Sequence, residues 1–236
     1  RPVLALGEKG QAMPDLPAFE GLVDEVQSKA LLNALGIVVP ASRVASSAAE
    51  VAVCTRALGG AVVVKGLARG IAHKTEHGLV ALNLTSPEAA EAAARSMQQR
   101  GRGLEFLGFL VENMAPRGVE VVMGIQRDPS FGPVLMFGLG GVSVELFKDV
   151  AFGLCPLSRG AAHGLIAQTK AAALLRGFRG QPAADIEALV DAMVRLSQFA
   201  AHHGDRLAEM DVNPVIVLPQ GQGVLALDAM IALKNA

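Results

Sequence analysis

At 236 residues the chain has room for one large domain or for two smaller lobes that share an interface. Hydrophobic residues make up 51% and charged residues 18%, the balance of a well-cored protein, and a formal charge of −1 removes the electrostatic case for nucleic acid or an anionic membrane. Trp and Tyr are absent, no run of 18 apolar residues occurs, and the two cysteines, Cys54 and Cys155, follow no metal or redox spacing, so the chain reads as cytoplasmic with reduced thiols.

Taken in order, residues 1–20 are punctuated by Pro2, Gly7, Gly10, Pro14 and Pro17 and read as an irregular lead-in. Val23, Val26, Ala30, Leu31 and Leu35 then fall on one helical stripe that Gly36 ends, with Lys29 read as a solvated lysine on that helix. Ile37-Val38-Val39-Pro40 reads as a short strand. Ser47 and Glu50 form a capping box that opens a second helix, which closes at Gly59-Gly60. Val62-Val63-Val64 is a buried strand ended by Lys65, and a second strand runs from Gly78 to Leu84. Ser86-Pro87-Glu88 supplies a cap, a first-turn proline and an early acid for an alanine-rich helix that reaches Arg100. The first half is therefore predicted as αβαββα.

The connection between the two strands is too long for a turn. A hairpin needs about two to five residues, and this one uses roughly a dozen. Its residues include Lys74, His73, His77 and Glu76, with Gly66, Gly70 and Gly78 among them. A strand-end lysine followed by a glycine-bearing basic loop suits phosphate, because the ammonium brings mobile charge and the loop amides bring fixed donors. His73 can titrate near neutrality and can act as a nucleophile. An exposed hairpin loop with a solvated histidine is the bland alternative.

The second half turns strand-rich, with apolar runs at 109–114, 118–126, 133–137 and 150–154, then two helical stretches, the longer at 183–203. Two strands, 207–218 and 224–231, close the chain. Glu112 and Glu120 bracket a turn, where a carboxylate can meet an adenine amino group or a ribose hydroxyl, or merely charge the rim. Asn213, before Pro214, and Asp228, on the returning strand, offer the hard oxygens Mg²⁺ takes, although taken by themselves they are better explained as a turn cap and a solvated strand end. Phe137-Gly138-Leu139-Gly140-Gly141 matches neither of the common phosphate-binding glycine loops, and Glu145 beyond it is read as a surface acid, with approach to the phosphate-handling histidine as the alternative. His163, His202 and His203 lack ligand-spaced partners and are given no chemistry.

Gln27-Ser28-Lys29-Ala30-Leu31-Leu32, Gly36-Ile37, Val63-Val64-Lys65, His73-Lys74-Thr75-Glu76, Asp128-Pro129-Ser130-Phe131-Gly132-Pro133, the Phe137–Gly141 loop, Asp211-Val212-Asn213-Pro214 and Leu227-Asp228-Ala229 occur in that order. The set resembles the ATP-grasp domain or β subunit of ADP-forming acyl-CoA synthetases, relatives of the succinyl-CoA synthetase β chain. The resemblance implies an α+β ATP-grasp fold in which two lobes clasp a nucleotide, divided as a lead-in (1–20), a phosphate-loop lobe (21–106) and a lobe with adenine and Mg²⁺ sites (107–236). It implies that His73 accepts phosphate from ATP, that Lys65 and Lys74 hold the phosphates, and that Glu112, Ala115 and Glu120 line adenine and ribose. Asn213 and Asp228 would hold Mg²⁺. His77 departs from the pattern, where a small or apolar residue is more usual. An α-type CoA-binding ligase domain or subunit would complete the reaction. The rival expectation is a catalytically silent regulatory domain of an acetyltransferase-type fusion.

Overall fold

The computed structural model describes residues 13–18, 20–71, 74–140 and 149–234. In chain order its elements are β1 (Gly21–Val23), α1 (Glu25–Ala34), β2 (Ser42–Ala45), α2 (Ala48–Leu58), β3 (Val62–Ala68), β4 (Val80–Leu84), α3 (Pro87–Arg100) and β5 (Phe106–Asn113). There follow β6 (Val119–Asp128), β7 (Gly132–Leu139), β8 (Val150–Leu154), α4 (Arg159–Ala167), α5 (Ala171–Leu175), α6 (Ile186–His202), β9 (Leu207–Val217), β10 (Val224–Ala226) and β11 (Met230–Leu233). They divide into a smaller unit, Pro40–Ala115, and a larger one made of Arg1–Val39 with Pro116–Ala236. No helix among the described residues is long and apolar enough to cross a membrane.

In the smaller unit the strands run antiparallel in the order β2-β5-β3-β4. Val62 and Val64 of β3, with Phe109 and Val111 of β5, form a core with Val51 of α2 and Ala90, Ala94 and Met97 of α3. Strand alternation puts Val63, Lys65, Leu110 and Glu112 on the opposite face, because Val63 pairs with Glu112 and Lys65 with Leu110. Both helices start at their expected caps. Ser86 Oγ accepts from the Ala89 amide at 3.1 Å, and Ser47 Oγ from the Glu50 amide at 3.3 Å. The Glu50 carboxylate, however, accepts from the amide and hydroxyl of Ser46, both at 2.8 Å, so the return arm of the box lands one residue early. Those bonds hold its carboxyl below the usual range.

The larger unit is built on a seven-stranded sheet, β1-β11-β9-β6-β7-β8, with β10 also paired to β9. Val121, Met123, Ile125, Leu135 and Phe137 line the side covered by α6, which contributes Leu189, Val190, Met193, Leu196 and Phe199 to the same core.

Three expectations are corrected here. The boundary between units is not at 106/107: β5 is hydrogen-bonded between β2 and β3, so the smaller unit runs on to Ala115, while β1 pairs with β11 and draws residues 21–39 into the larger unit. Ile37–Pro40 forms no strand, since the Ile37 amide closes the end of α1 on Leu32, the Val38 carbonyl accepts from Ala226, and Pro40 has no N–H. Lys29 is not solvated: it is 3% exposed and pairs with Glu25 one turn earlier at 3.0 Å.

Candidate functional site

The expected site residues are divided between the two units. In the smaller unit, Lys65 Nζ stands 3.1 Å from Glu112 Oε2, with the Lys65 side chain 9% and the Glu112 side chain 3% exposed. The register explains the meeting. Glu112 lies directly across from Val63, and Lys65 is two residues further along the same face. A buried pair of this kind is tolerated because each charge offsets the desolvation of the other. The carboxylate expected at adenine or ribose is thus engaged by the lysine expected at phosphate. Ala115 is the last residue of this unit.

The long loop opens from β3 and returns at β4. His73 lies outside the described residues, and so does Glu145. Lys74 is described, and its carbonyl accepts from the Leu79 amide at 2.9 Å. The returning end is built on Gly78 at φ +63°, whose amide donates to the Thr75 carbonyl at 3.0 Å.

In the larger unit, Asp211 and Asn213 are two residues apart on β9 and share one face of the sheet. Asp211 pairs with Met230 of β11 and with Gly124 of β6, while its neighbours Met210 and Val212 point into the helix-side core. The expected single return strand breaks into β10 and β11 at Leu227-Asp228-Ala229. The break is specific: the Leu227 amide donates to the Pro214 carbonyl at 3.0 Å, and Asp228 Oδ1 accepts from the Ala229 amide at 2.8 Å. Asp228 therefore sits beside the Asn213-Pro214 step. Asp211 was given no role from the sequence, and its position two residues from Asn213 on β9 makes it a further candidate oxygen donor.

This donor set fits a hard cation. Among the described residues no group of three or more His, Cys, Asp or Glu side chains is placed to hold a metal. An ion here would rest on one or two carboxylates, an amide oxygen and groups brought by a ligand, which is how Mg²⁺ is usually held. Glu120 is exposed on β6 and, with Gly118, Gly140, Leu139, Leu174, Phe178 and Gln181, borders a cavity of about 390 Å³. A Cβ at Gly118 or Gly140 would stand 2.5 Å from the Val217 carbonyl oxygen or 2.6 Å from the Val121 backbone, so this rim tolerates nothing larger than glycine.

The remaining titratable groups lie elsewhere. His163 meets Glu187 at 3.2 Å on the exposed side of α4 and α6, a carboxylate contact its sequence surroundings did not announce. His203 Nε2 bonds the Pro14 carbonyl at 2.9 Å. Cys54 and Cys155 are free and half-buried, and burial pushes the Cys155 thiol up to about 11, which leaves it unreactive at neutral pH.

Residues 17–233 match the ATP-grasp domain family. The chain is 38% identical over 227 residues to the trans-feruloyl-CoA synthase FCS1 of an unknown prokaryotic organism, covering 94% of this chain and 32% of that protein. It is 36% identical over 215 residues to the β subunit of the ADP-forming acetate–CoA ligase II of Pyrococcus furiosus, covering 89% of this chain and 91% of that subunit. The chain thus spans about a third of the one relative and nearly all of the other. Among solved structures, acetyl-coenzyme A synthetase 1 of Ca. Korarchaeum cryptofilum with coenzyme A and Ca-AMPCP aligns with a TM-score of 0.86 at 40% identity, over 91% of this chain and 94% of that one. The same protein with Mg-AMPPCP, its phosphohistidine segment pointing towards the nucleotide-binding site, aligns with a TM-score of 0.78 at 40% identity, over 91% and 93% of the two chains.

Proposed function

The chain belongs to the ATP-grasp domain family, and from that premise we propose that it is the nucleotide-binding, phosphoryl-transferring part of an ADP-forming acyl-CoA synthetase. The observation that carries the reading is the buried Lys65–Glu112 pair, a fixed cation on the face of β3 and β5 turned away from the helices. A solvated lysine would need no such partner, and β3 runs three residues past Lys65 to Ala68 rather than ending at it.

In this reading Lys65 and Lys74 offset the charge of the nucleotide phosphates, and Glu112 fixes the direction of the Lys65 ammonium. Glu112, the Ala115 backbone and Glu120 line adenine and ribose. Asn213 and Asp228, with Asp211 on the same sheet face as Asn213, hold Mg²⁺, which when bound supplies charge neutralisation. The unprotonated imidazole nitrogen of His73 attacks the γ-phosphorus in line. A P–N bond forms, the bond from γ-phosphorus to the bridging oxygen breaks, and ADP leaves with that electron pair. The phosphoryl group then passes to a carboxylic acid as acyl phosphate, and the thiol of CoA displaces phosphate from it.

These last steps belong to an α-type CoA-binding ligase partner, either a separate subunit or the rest of a longer chain, and the setting is cytoplasmic. The β-subunit name of one relative and the threefold length of another support that division. Appearance of acid-labile, base-stable label on the protein from γ-labelled ATP is the direct test.

A further inference from the structure

The last residue of α3 and the stretch from it to β5 reach both ends of the loop that leaves β3 and returns at β4. At the returning end, Arg100 Nη1 donates to the Gly78 carbonyl across 3.0 Å. A Cβ at Gly78 would stand 2.9 Å from Nη1 and 3.2 Å from Cδ of Arg100, so the guanidinium lies against backbone that only glycine leaves bare. The surrounding backbone is tied as well. Leu79 donates to Lys74 at 2.9 Å and accepts from Gly66 at 2.8 Å, and its side chain is fully buried.

At the leaving end, the Arg69 amide donates to the Glu105 carbonyl at 3.0 Å, and Arg69 Nε meets Glu105 Oε1 at 2.8 Å in an exposed pair. Gly70 follows at φ +74° with open space where a Cβ would stand. The loop is therefore held at both roots, by Arg100 on Gly78 and by Glu105 on Arg69.

We infer that Arg100 is a positioning residue for the loop that contains His73, fixing its returning root at Gly78. The inference rests on the reading of His73 as the phosphate acceptor. Small misplacements of a reacting group cost orders of magnitude in rate, so a loop rooted at only one end would present its imidazole less often in line. Arg100 touches neither nucleotide nor the reacting atoms in this account, and it acts through Gly78.

The test uses Arg100→Ala, Arg100→Lys and, as a control on the same helix, Arg95→Ala, which removes only an exposed pair with Glu91. Two quantities are measured: the initial rate of label uptake from γ-labelled ATP, and hydrogen exchange at the Leu79 amide. Arg100→Ala is expected to slow uptake by about tenfold or more and to speed Leu79 exchange, while the nucleotide-induced rise in Tm stays as in the parent. Arg100→Lys, which still carries a donor, should recover part of both, and Arg95→Ala should match the parent. Parental uptake in Arg100→Ala, or unchanged protection of Leu79, overturns the inference. If the parent protein takes up no label, the reading of His73 fails, and Leu79 exchange still decides for or against the Arg100 root.

Discussion

Lys65 and Glu112 meet at 3.1 Å on the side of β3 and β5 away from the helices, and both are nearly excluded from water. The pair makes Lys65 a cation of fixed direction. Its energetic coupling is open to a double-mutant cycle with Lys65→Met and Glu112→Gln. A buried, contacting pair should show a coupling of about 0.5–3 kcal/mol in urea unfolding. Additive effects would mean that the two charges are stabilised independently.

The same pair predicts how nucleotide binding responds. Binding to the folded state must raise Tm, so Mg-ADP should stabilise the parent protein. Lys65→Met should abolish most of that rise, and Glu112→Gln should reduce it less, because a neutral amide still accepts from the ammonium. A scan in which both variants keep the parental shift would remove Lys65 from the phosphate site.

The Leu227 amide donates to the Pro214 carbonyl at the break between β10 and β11, which sets Asp228 next to the Asn213-Pro214 step in the backbone. Substitution of Asn213 or Asp228 by Ala should weaken the Mg²⁺-dependent part of the nucleotide shift and spare any part seen with chelator. Asp211→Asn should weaken it as well, since Asp211 shares a face with Asn213 on β9. A Mg²⁺-dependent shift that survives all of these substitutions would place the Mg²⁺ ligands elsewhere.

Helix starts were legible because capping is local chemistry: Ser47 and Ser86 accept the bonds that their spacing foretold. The core strands were legible because runs such as Val62–Val64 have few alternatives to burial. What the sequence hid was non-local. β1 is three residues long and exists only because β11 pairs with it, so neither it nor the true division of the units has a local signature. Glu25 and Lys29 have the spacing of a surface ion pair on a helix, and only the packing around α1 buries them. Of the candidate site, the residue types were legible, while the direct contact of Lys65 with Glu112 depended on strand register.

His203 couples the fold to pH. Burial holds its pKa below the ordinary 6.5, while its Nε2 bonds the Pro14 carbonyl. The folded state therefore takes up a proton less readily than the unfolded chain. Its contribution is complete above the ordinary value and is lost as pH falls from there through the lower folded value. Tm should fall as the pH drops below about 6.5, and His203→Gln should flatten that part of the profile. An unchanged slope in the variant would assign the effect to other groups.

The purified chain alone should form no acyl-CoA from acetate or an aromatic acid with CoA and ATP, and adding an α-type partner from a related synthetase should restore turnover. Turnover by the chain alone would show that it carries the whole reaction.

The central claim is tested most directly by incubating the protein with γ-labelled ATP and Mg²⁺ and locating the label. The account predicts acid-labile, base-stable label at His73, absent in His73→Ala, present in His77→Ala, and lost without change in the nucleotide-induced Tm shift. Label that persists in His73→Ala, or maps to His77, would contradict the assignment of the phosphate acceptor.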